Sequence, residues 1–175
     1  MTPNAQYHKV VPRFVAEEFV EGNFLGLSSK PGNADVVILQ VPYELTTSYG
    51  QGTAQGPAAC VTASGQVELF DPLLGEDLPA GYNIHTAPEW NGEGNTLEQQ
   101  LASISNYLAK WNNGTTFPVI LGGEHGILPP IIKSLTNHPA IDGDHSKLNI
   151  VQIDAHADLR QELGGERNSH ACADA

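Results

Sequence analysis

Apolar residues gather in short runs that predict buried β-strands. The first run, residues 34–42, is almost continuously apolar and rich in β-branched residues. Residues 117–121 and 148–153 form two similar runs. A continuous apolar run, in contrast to strict alternation, is typical of a strand covered on both faces in a parallel sheet.

Between the strand-like runs the apolar spacing becomes helical. Thr96 and Gln99 match a capping box, and Asn112-Asn113-Gly114 ends the segment that follows. Residues 57–61 suit the start of another helix and residues 127–135 a third. The order strand, helix, strand, helix, strand predicts an α/β protein with a mostly parallel sheet. The best-defined helix carries its apolar stripe on Leu97, Leu101, Ile104, Leu108 and Trp111.

Glycine and proline mark the loops. Residues 46–56 contain three glycines but no lysine, so the segment lacks the Walker phosphate-binding pattern and is expected to shape the rim of a pocket. Residues 67–70 suggest a second short strand. Residues 71–95 predict a long irregular excursion, in which we expect His85 to be solvated and without a role.

Length and charge narrow the class of protein. The 175 residues suit one domain, with residues 1–33 as an N-terminal extension that includes a possible short helix at 15–19, and residues 34–175 as the main unit. The net charge of −12 argues against nucleic acid as a partner. No apolar run is long enough to span a bilayer, no secretory signal is evident, and the two cysteines make no disulfide framework. The expected location is the cytoplasm.

Ligand-type residues stand where two of the predicted strands end. Asp154, His156 and Asp158 follow residues 148–153 at alternate positions, which in an extended chain places them on one side. His125 follows residues 117–121. Ligands of parallel α/β sheets gather at the carboxyl ends of the strands, so these side chains are expected to converge on a divalent cation. The alternative is a strand whose polar end is simply solvated.

Three segments together resemble a known family. Gly122-Gly123-Glu124-His125, Asp154-Ala155-His156-Ala157-Asp158 and Ser169-His170-Ala171 are similar to successive motifs of the ureohydrolases, the arginase and agmatinase family of binuclear metal amidinohydrolases. The resemblance covers residues 34–172 and is closer to agmatinase than to arginase. It implies a three-layer fold, with helices on both faces of a mostly parallel sheet, of which this chain resembles the N-terminal portion.

The resemblance also implies roles for single residues. His125 and Asp158 would be terminal ligands of one metal, His156 a ligand of the other, and Asp154 a bridge between them. His170 and Asp158 would act in catalysis by handling protons. The expected cofactor is a pair of Mn²⁺ ions in the complete site, with Ni²⁺ or Zn²⁺ left open by the ligand types. The expected partner is a small cationic guanidino substrate, agmatine first, which is cleaved to urea in polyamine metabolism; the complete protein is expected to be a homo-oligomer that binds no membrane.

One departure from the family pattern bears on activity. The family's ligand set includes a later D-x-D strand, and Asp142 and Asp144 do not replace it because they precede residues 148–153. The chain alone is therefore expected to be inactive or nearly so. Glu124 is expected to support its loop or a subunit contact and not to bind metal. Two alternatives stay open, a non-catalytic fragment or pseudoenzyme and a single-metal deacetylase of related fold, and the number of bound metals would separate them.

Overall fold

A parallel sheet of three strands lies at the centre of the computed structural model, which describes residues 19–175. Its strand order is β4-β1-β5, and Val36 at the start of β1 is in register with Ile84 and Phe117. The remaining two strands form a separate antiparallel hairpin. The strands are β1 (Val36–Val41), β2 (Phe70–Asp71), β3 (Glu76–Asp77), β4 (Ile84–Thr86) and β5 (Phe117–Gly122).

Helices cover both faces of the sheet, as the sequence predicts. On one face Val37, Leu39 and Val41 of β1 pack in a core with Ile104 and Leu108 of α2, and α3 packs beside α2. The alternate β1 side chains face the other side, where α1 lies. The helices are α1 (Gly56–Ser64), α2 (Leu97–Ala109) and α3 (Leu128–Ser134).

The strand β1 and the helix α2, which have the strongest sequence patterns, form as predicted. β1 is the central strand, and five of its six residues are buried, which explains its continuous apolar run. α2 begins after Thr96, whose hydroxyl accepts a hydrogen bond from the backbone N–H of Gln99. The Gln99 side chain accepts in turn from the backbone N–H of Asn95. This reciprocal pair differs from the standard capping box because Gln99 accepts from the residue before the N-cap; Thr96 satisfies one free N–H group of the first helical turn.

The predicted strand at residues 148–153 is wrong. The segment belongs to no strand, and the side chains of Val151 and Ile153 are 87% and 99% exposed. A strand needs a neighbour to accept and donate its backbone hydrogen bonds. The outer edge of β5 pairs with no strand within residues 19–175, and the apolar run is left uncovered.

The excursion at residues 71–95 is more ordered than predicted. It contains β4, whose three residues are too few to show a period in the sequence. His85 within β4 is only partly exposed. Its Nδ1 lies 2.9 Å from the hydroxyl of Ser29, and its ring packs against Trp111. The expectation of a solvated histidine is therefore wrong, and burial lowers the pKa of this imidazole.

The short strand predicted at residues 67–70 is only partly correct. Within it, Phe70 alone is in a strand, where it begins β2 of the hairpin. The possible helix at residues 15–19 falls mainly outside the described residues.

The segment before residue 34 packs against the sheet domain where it is described. The backbone N–H of Phe24 donates to the hydroxyl of Thr86, and that of Leu25 donates to Ser64. The boundary at residue 33 stays a prediction. Among the helices of residues 19–175, none combines the length and the apolar character needed to cross a membrane.

Candidate metal centre

A glycine turn carries His125 to the carboxyl end of β5. A Cβ atom at position 123 would collide with the backbone carbonyl oxygen of Tyr43, so only glycine fits. The backbone N–H groups of Gly123 and Glu124 donate to the carbonyls of Val41 and Tyr43, at 3.1 and 2.9 Å. The turn is thereby tied to the end of β1, and the next residue lies at the edge of the sheet where ligands of α/β proteins bind.

Two of the predicted acidic ligands meet His125 at this edge. Its Nδ1 lies 2.7 Å from Oδ2 of Asp158 and 3.6 Å from Oδ2 of Asp154. One ligand atom from each of the three side chains lies within 4.8 Å of the others. The structure therefore brings the glycine turn and the acidic motif together, although residues 148–153 do not form the strand from which this convergence was predicted.

His156 stands apart from this group. Its side chain is 81% exposed, and its Nδ1 lies 3.6 Å from Oδ1 of Asp154, the oxygen that does not face His125. The alternation expected for an extended chain breaks down because residues 155–156 bend and Asp158 has a φ of 45°. Asp154 therefore has one oxygen towards each histidine.

The donor chemistry fits one divalent ion of the kind that prefers nitrogen and oxygen ligands. The group offers an imidazole and two carboxylates and no thiolate. The backbone N–H of His156 donates to Asp154 at 2.8 Å and lowers the pKa of that carboxyl, which keeps it in the anionic form that a metal requires. Within residues 19–175 this is a partial ligand set, since a site for two ions needs more carboxylates than these.

Asp174 lies close to the group and was not anticipated from the sequence. Its Oδ2 is 3.9 Å from Nε2 of His125 and, among the described residues, has no hydrogen-bond partner. A single aspartate outside any motif gives no sequence signal. Asp142 and Asp144, by contrast, are exposed and outside the cluster.

His170 lines the same open cleft as His125, His156 and Asp158. It begins a short 3₁₀ turn whose preceding residue, Ser169, caps the N–H of Ala171. Its Nδ1 lies 3.3 Å from the hydroxyl of Thr46, and its Nε2 lies 3.4 Å from that of Ser48. The three motifs noted in the sequence therefore contribute side chains to one cleft.

The glycine-rich loop, residues 46–56, forms part of the rim of the cleft, as predicted. Thr47, Ser48 and Tyr49 line it. Glu44, which the sequence analysis did not single out, holds the loop by accepting hydrogen bonds from the backbone N–H groups of Gly52 and Ala54, at 2.8 and 2.9 Å. Those donors lower the pKa of the Glu44 carboxyl.

Glu124 supports the other end of the loop and does not belong to the candidate metal group, in agreement with its expected role. It is 4% exposed and accepts from the backbone N–H groups of Leu45 and Thr46, at 2.7 and 2.6 Å. It also accepts from the Thr46 hydroxyl. The link between Thr46 and His170 is a third feature that the sequence did not reveal.

Comparison with known proteins gives relatives for most of the chain. The chain is 32% identical over 144 residues to the N(1)-aminopropylagmatine ureohydrolase of Synechocystis sp., covering 80% of this chain and 45% of that protein. It is also 32% identical over 138 residues to the agmatinase of Bacillus anthracis, covering 79% of this chain and 45% of the relative. The chain thus spans about half the length of these relatives.

Solved structures share the fold. The proclavaminate amidino hydrolase of Streptomyces clavuligerus superposes with a TM-score of 0.70 at 22% identity, covering 86% of this chain and 48% of that one. A formiminoglutamase of Trypanosoma cruzi, solved with Mn²⁺, superposes with a TM-score of 0.69 at 19% identity, covering 85% of this chain and 50% of that one. The model of the arginase family matches residues 34–174. With its fold, its glycine turn and its histidine–aspartate cluster, the chain belongs to the arginase family.

Proposed function

We propose that the cleft is part of the active site of a metal-dependent amidinohydrolase that releases urea from a guanidino compound. The observation that carries the proposal is the meeting of His125, Asp154 and Asp158 in one cleft with His170. Imidazole and carboxylate ligands beside a second, uncoordinated imidazole are the components needed to bind a cation and to move protons next to it.

The residues divide into ligands of two ions. His125 and Asp158 would hold one ion as terminal ligands, and Asp154 would bridge to the second ion, towards His156. The two oxygens of Asp154 face different histidines, which supports the bridging role. Bound Mn²⁺ ions would lower the pKa of a shared water and so supply a nucleophile at neutral pH.

Proton transfer falls to Asp158 and His170. A guanidinium carbon loses its amine only after the departing nitrogen is protonated. An imidazole exchanges protons near neutral pH, and His170 lines the cleft beside the ligands, so it can protonate the leaving group. Asp158, which contacts His125, is the second candidate for holding that proton.

The substrate proposed first is agmatine, ahead of guanidine and guanidino acids. The named relatives include an agmatinase and an aminopropylagmatine ureohydrolase, whose substrates share a cationic guanidino group. A cytoplasmic, homo-oligomeric enzyme is the form in which we expect the complete protein to work.

Metal binding tests the ligand assignment directly. The chain, stripped with a chelator and dialysed against Mn²⁺, is expected to retain Mn²⁺, as measured by elemental analysis, and Asp154→Ala is expected to lose most of it. Asp144→Ala is the matched control, because Asp144 is an exposed aspartate outside the cluster. An Asp154→Ala protein that retained as much Mn²⁺ as the wild type would end the assignment.

The same measurement on a chain that carries the complete ligand set separates the alternatives, because residues 19–175 by themselves assemble ligand atoms for one ion. Two ions per chain favour the amidinohydrolase, and one ion favours a single-metal deacetylase of related fold. A non-catalytic fragment or pseudoenzyme would hold one ion or none. The glycine turn and the third ligand, Asp158, favour the amidinohydrolase over the deacetylase.

A further inference from the structure

The hydroxyl of Thr46 lies between a buried carboxylate and the imidazole of His170. It donates to Oε1 of Glu124 and lies 3.3 Å from Nδ1 of His170. It also accepts a hydrogen bond from the backbone N–H of His170, at 2.9 Å. One small side chain thus connects the glycine-rich loop, the glycine turn and the turn that carries His170.

The hydrogen bonds of Glu124 fix the direction in which the Thr46 hydroxyl donates its proton. Its Oε2 accepts from two backbone N–H groups, those of Leu45 and Thr46, and backbone N–H groups can only donate. Its Oε1 faces the Thr46 hydroxyl. A buried carboxylate must have its oxygens satisfied, so the Thr46 proton is directed to Oε1.

The direction determines the tautomer of His170. A threonine hydroxyl has one proton and two lone pairs. Its proton is given to Glu124, so both lone pairs accept, one from the His170 backbone N–H and one from the imidazole. To bond this lone pair, Nδ1 must carry the ring proton, which the Ser169 hydroxyl, 3.4 Å from the same nitrogen, can also accept. Nε2 is then left unprotonated.

We propose that Thr46 and Glu124 are positioning residues that hold neutral His170 as the Nδ1–H tautomer with Nε2 as its proton acceptor. Nε2 lies on the side of the ring near Ser48, in the loop that lines the cleft. The catalytic meaning of this arrangement rests on the proposed function, but the tautomer itself does not. It is a property of the chain without substrate or metal.

Nitrogen-15 NMR of the imidazole measures the tautomer directly. The measurement uses the metal-free chain at about pH 8.5, where an unperturbed imidazole is neutral, and the His170 signals are assigned by their loss in His170→Asn. We expect a protonated Nδ1 and an unprotonated Nε2 in the wild type. A wild-type His170 protonated on Nε2 would overturn the proposal.

Glu124→Gln is expected to reverse the tautomer of His170, which a merely structural role of Glu124 would not do. The glutamine carbonyl oxygen must replace Oε2 to accept from the two backbone N–H groups, so its NH₂ group faces Thr46. The hydroxyl then accepts from the amide and turns its proton to Nδ1. His170 is expected to switch to the Nε2–H tautomer, whereas Glu162→Gln, at an exposed glutamate, leaves it unchanged. A folded Glu124→Gln protein with an unchanged His170 tautomer contradicts the proposed hydrogen-bond path from Glu124 through Thr46 to His170.

A pair of threonine variants tests the hydroxyl. Thr46→Ser retains the hydroxyl and is expected to keep the Nδ1–H tautomer of His170. Thr46→Val removes the hydroxyl while keeping the shape, so the Nδ1 preference is expected to be lost. Equal tautomer ratios in the two folded variants contradict the role of Thr46. Failure of urea release or Mn²⁺ binding would count against the proposed function and leave these tautomer results unaffected.

Discussion

At the scale of single residues, the rim of the cleft depends on carboxylates that bind backbone N–H groups. Glu44 holds one end of the glycine-rich loop and Glu124 the other. Such charge-assisted hydrogen bonds are stronger than those between neutral groups. The shape of the cleft therefore depends on carboxylates that lie outside the candidate metal group.

Glu44 makes this dependence measurable through pH. Its pKa is lowered by the N–H groups of Ala54 and Gly52, so the anion is favoured in the folded state. Its contribution is complete above the ordinary glutamate pKa of about 4.3 and is lost as the pH falls through the lowered folded-state value. We expect the amide proton signals of Gly52 and Ala54 to shift upfield over that acidic range and to be constant from about pH 5 to 8.

The matched variant is Glu44→Gln, whose neutral amide has one acceptor oxygen. The two amide signals are expected to lie upfield at every pH and to show no such titration. Glu162→Gln, an exposed substitution, should leave the wild-type titration in place. Amide signals that titrate equally in wild type and Glu44→Gln would show that another group holds the loop.

At the scale of elements, the helices and strands that the sequence predicts correctly are those whose signal lies within a single segment. α2 is recognisable because its cap and its apolar stripe lie within one segment. β1 is recognisable because a strand covered on both faces needs a long apolar run. β4 is only three residues long, and its strand structure is imposed by its pairing with β1. The apolar run at 148–153 indicates burial but contains no information about which segment would cover it.

The same substitution, isoleucine to alanine, at a buried position in α2 and at an exposed position in residues 148–153 tests whether the two segments differ in burial. Ile104 in α2 is 0% exposed and Ile153 is 99% exposed. Ile104→Ala is expected to lower the free energy of unfolding by about 2–5 kcal/mol, because it leaves a cavity in the core. Ile153→Ala is expected to change it by less than about 0.5 kcal/mol. Both values come from denaturant unfolding, and a similar large loss in Ile153→Ala would mean that residues 148–153 are buried in solution.

At the scale of the whole molecule, the candidate site is predicted better than the strand that was to carry it. His125 lies at the carboxyl end of β5 as the topology requires, and the glycine turn explains why. The position of Asp154 and Asp158 follows from contacts with His125, not from a strand. The separation of His156 was not predictable, because it results from a bend and a left-handed residue that alternation does not reveal.

The chain by itself is expected to lack urea-releasing activity. Hydrolysis by two metals needs ions about 3.5–4 Å apart, each with its own ligands. Within residues 19–175 the structure assembles ligand atoms for one ion. The purified chain with Mn²⁺ and agmatine is therefore expected to release no more urea than its His125→Ala variant does. Urea release that depends on Mn²⁺ and on His125 would contradict this prediction.

A chimaera shows whether the cleft is competent once the ligand set is completed. The chain can be joined to the part of the Synechocystis ureohydrolase that it does not match, about half of that protein. That addition also offers polypeptide to cover the exposed side chains of Val151 and Ile153. Urea release is expected to appear with Mn²⁺ and to be lost in the chimaera carrying Asp154→Ala, while Asp144→Ala retains it. A folded, metal-loaded chimaera without activity would instead favour the pseudoenzyme, because its ligand set would be complete and the missing chemistry would lie in this chain.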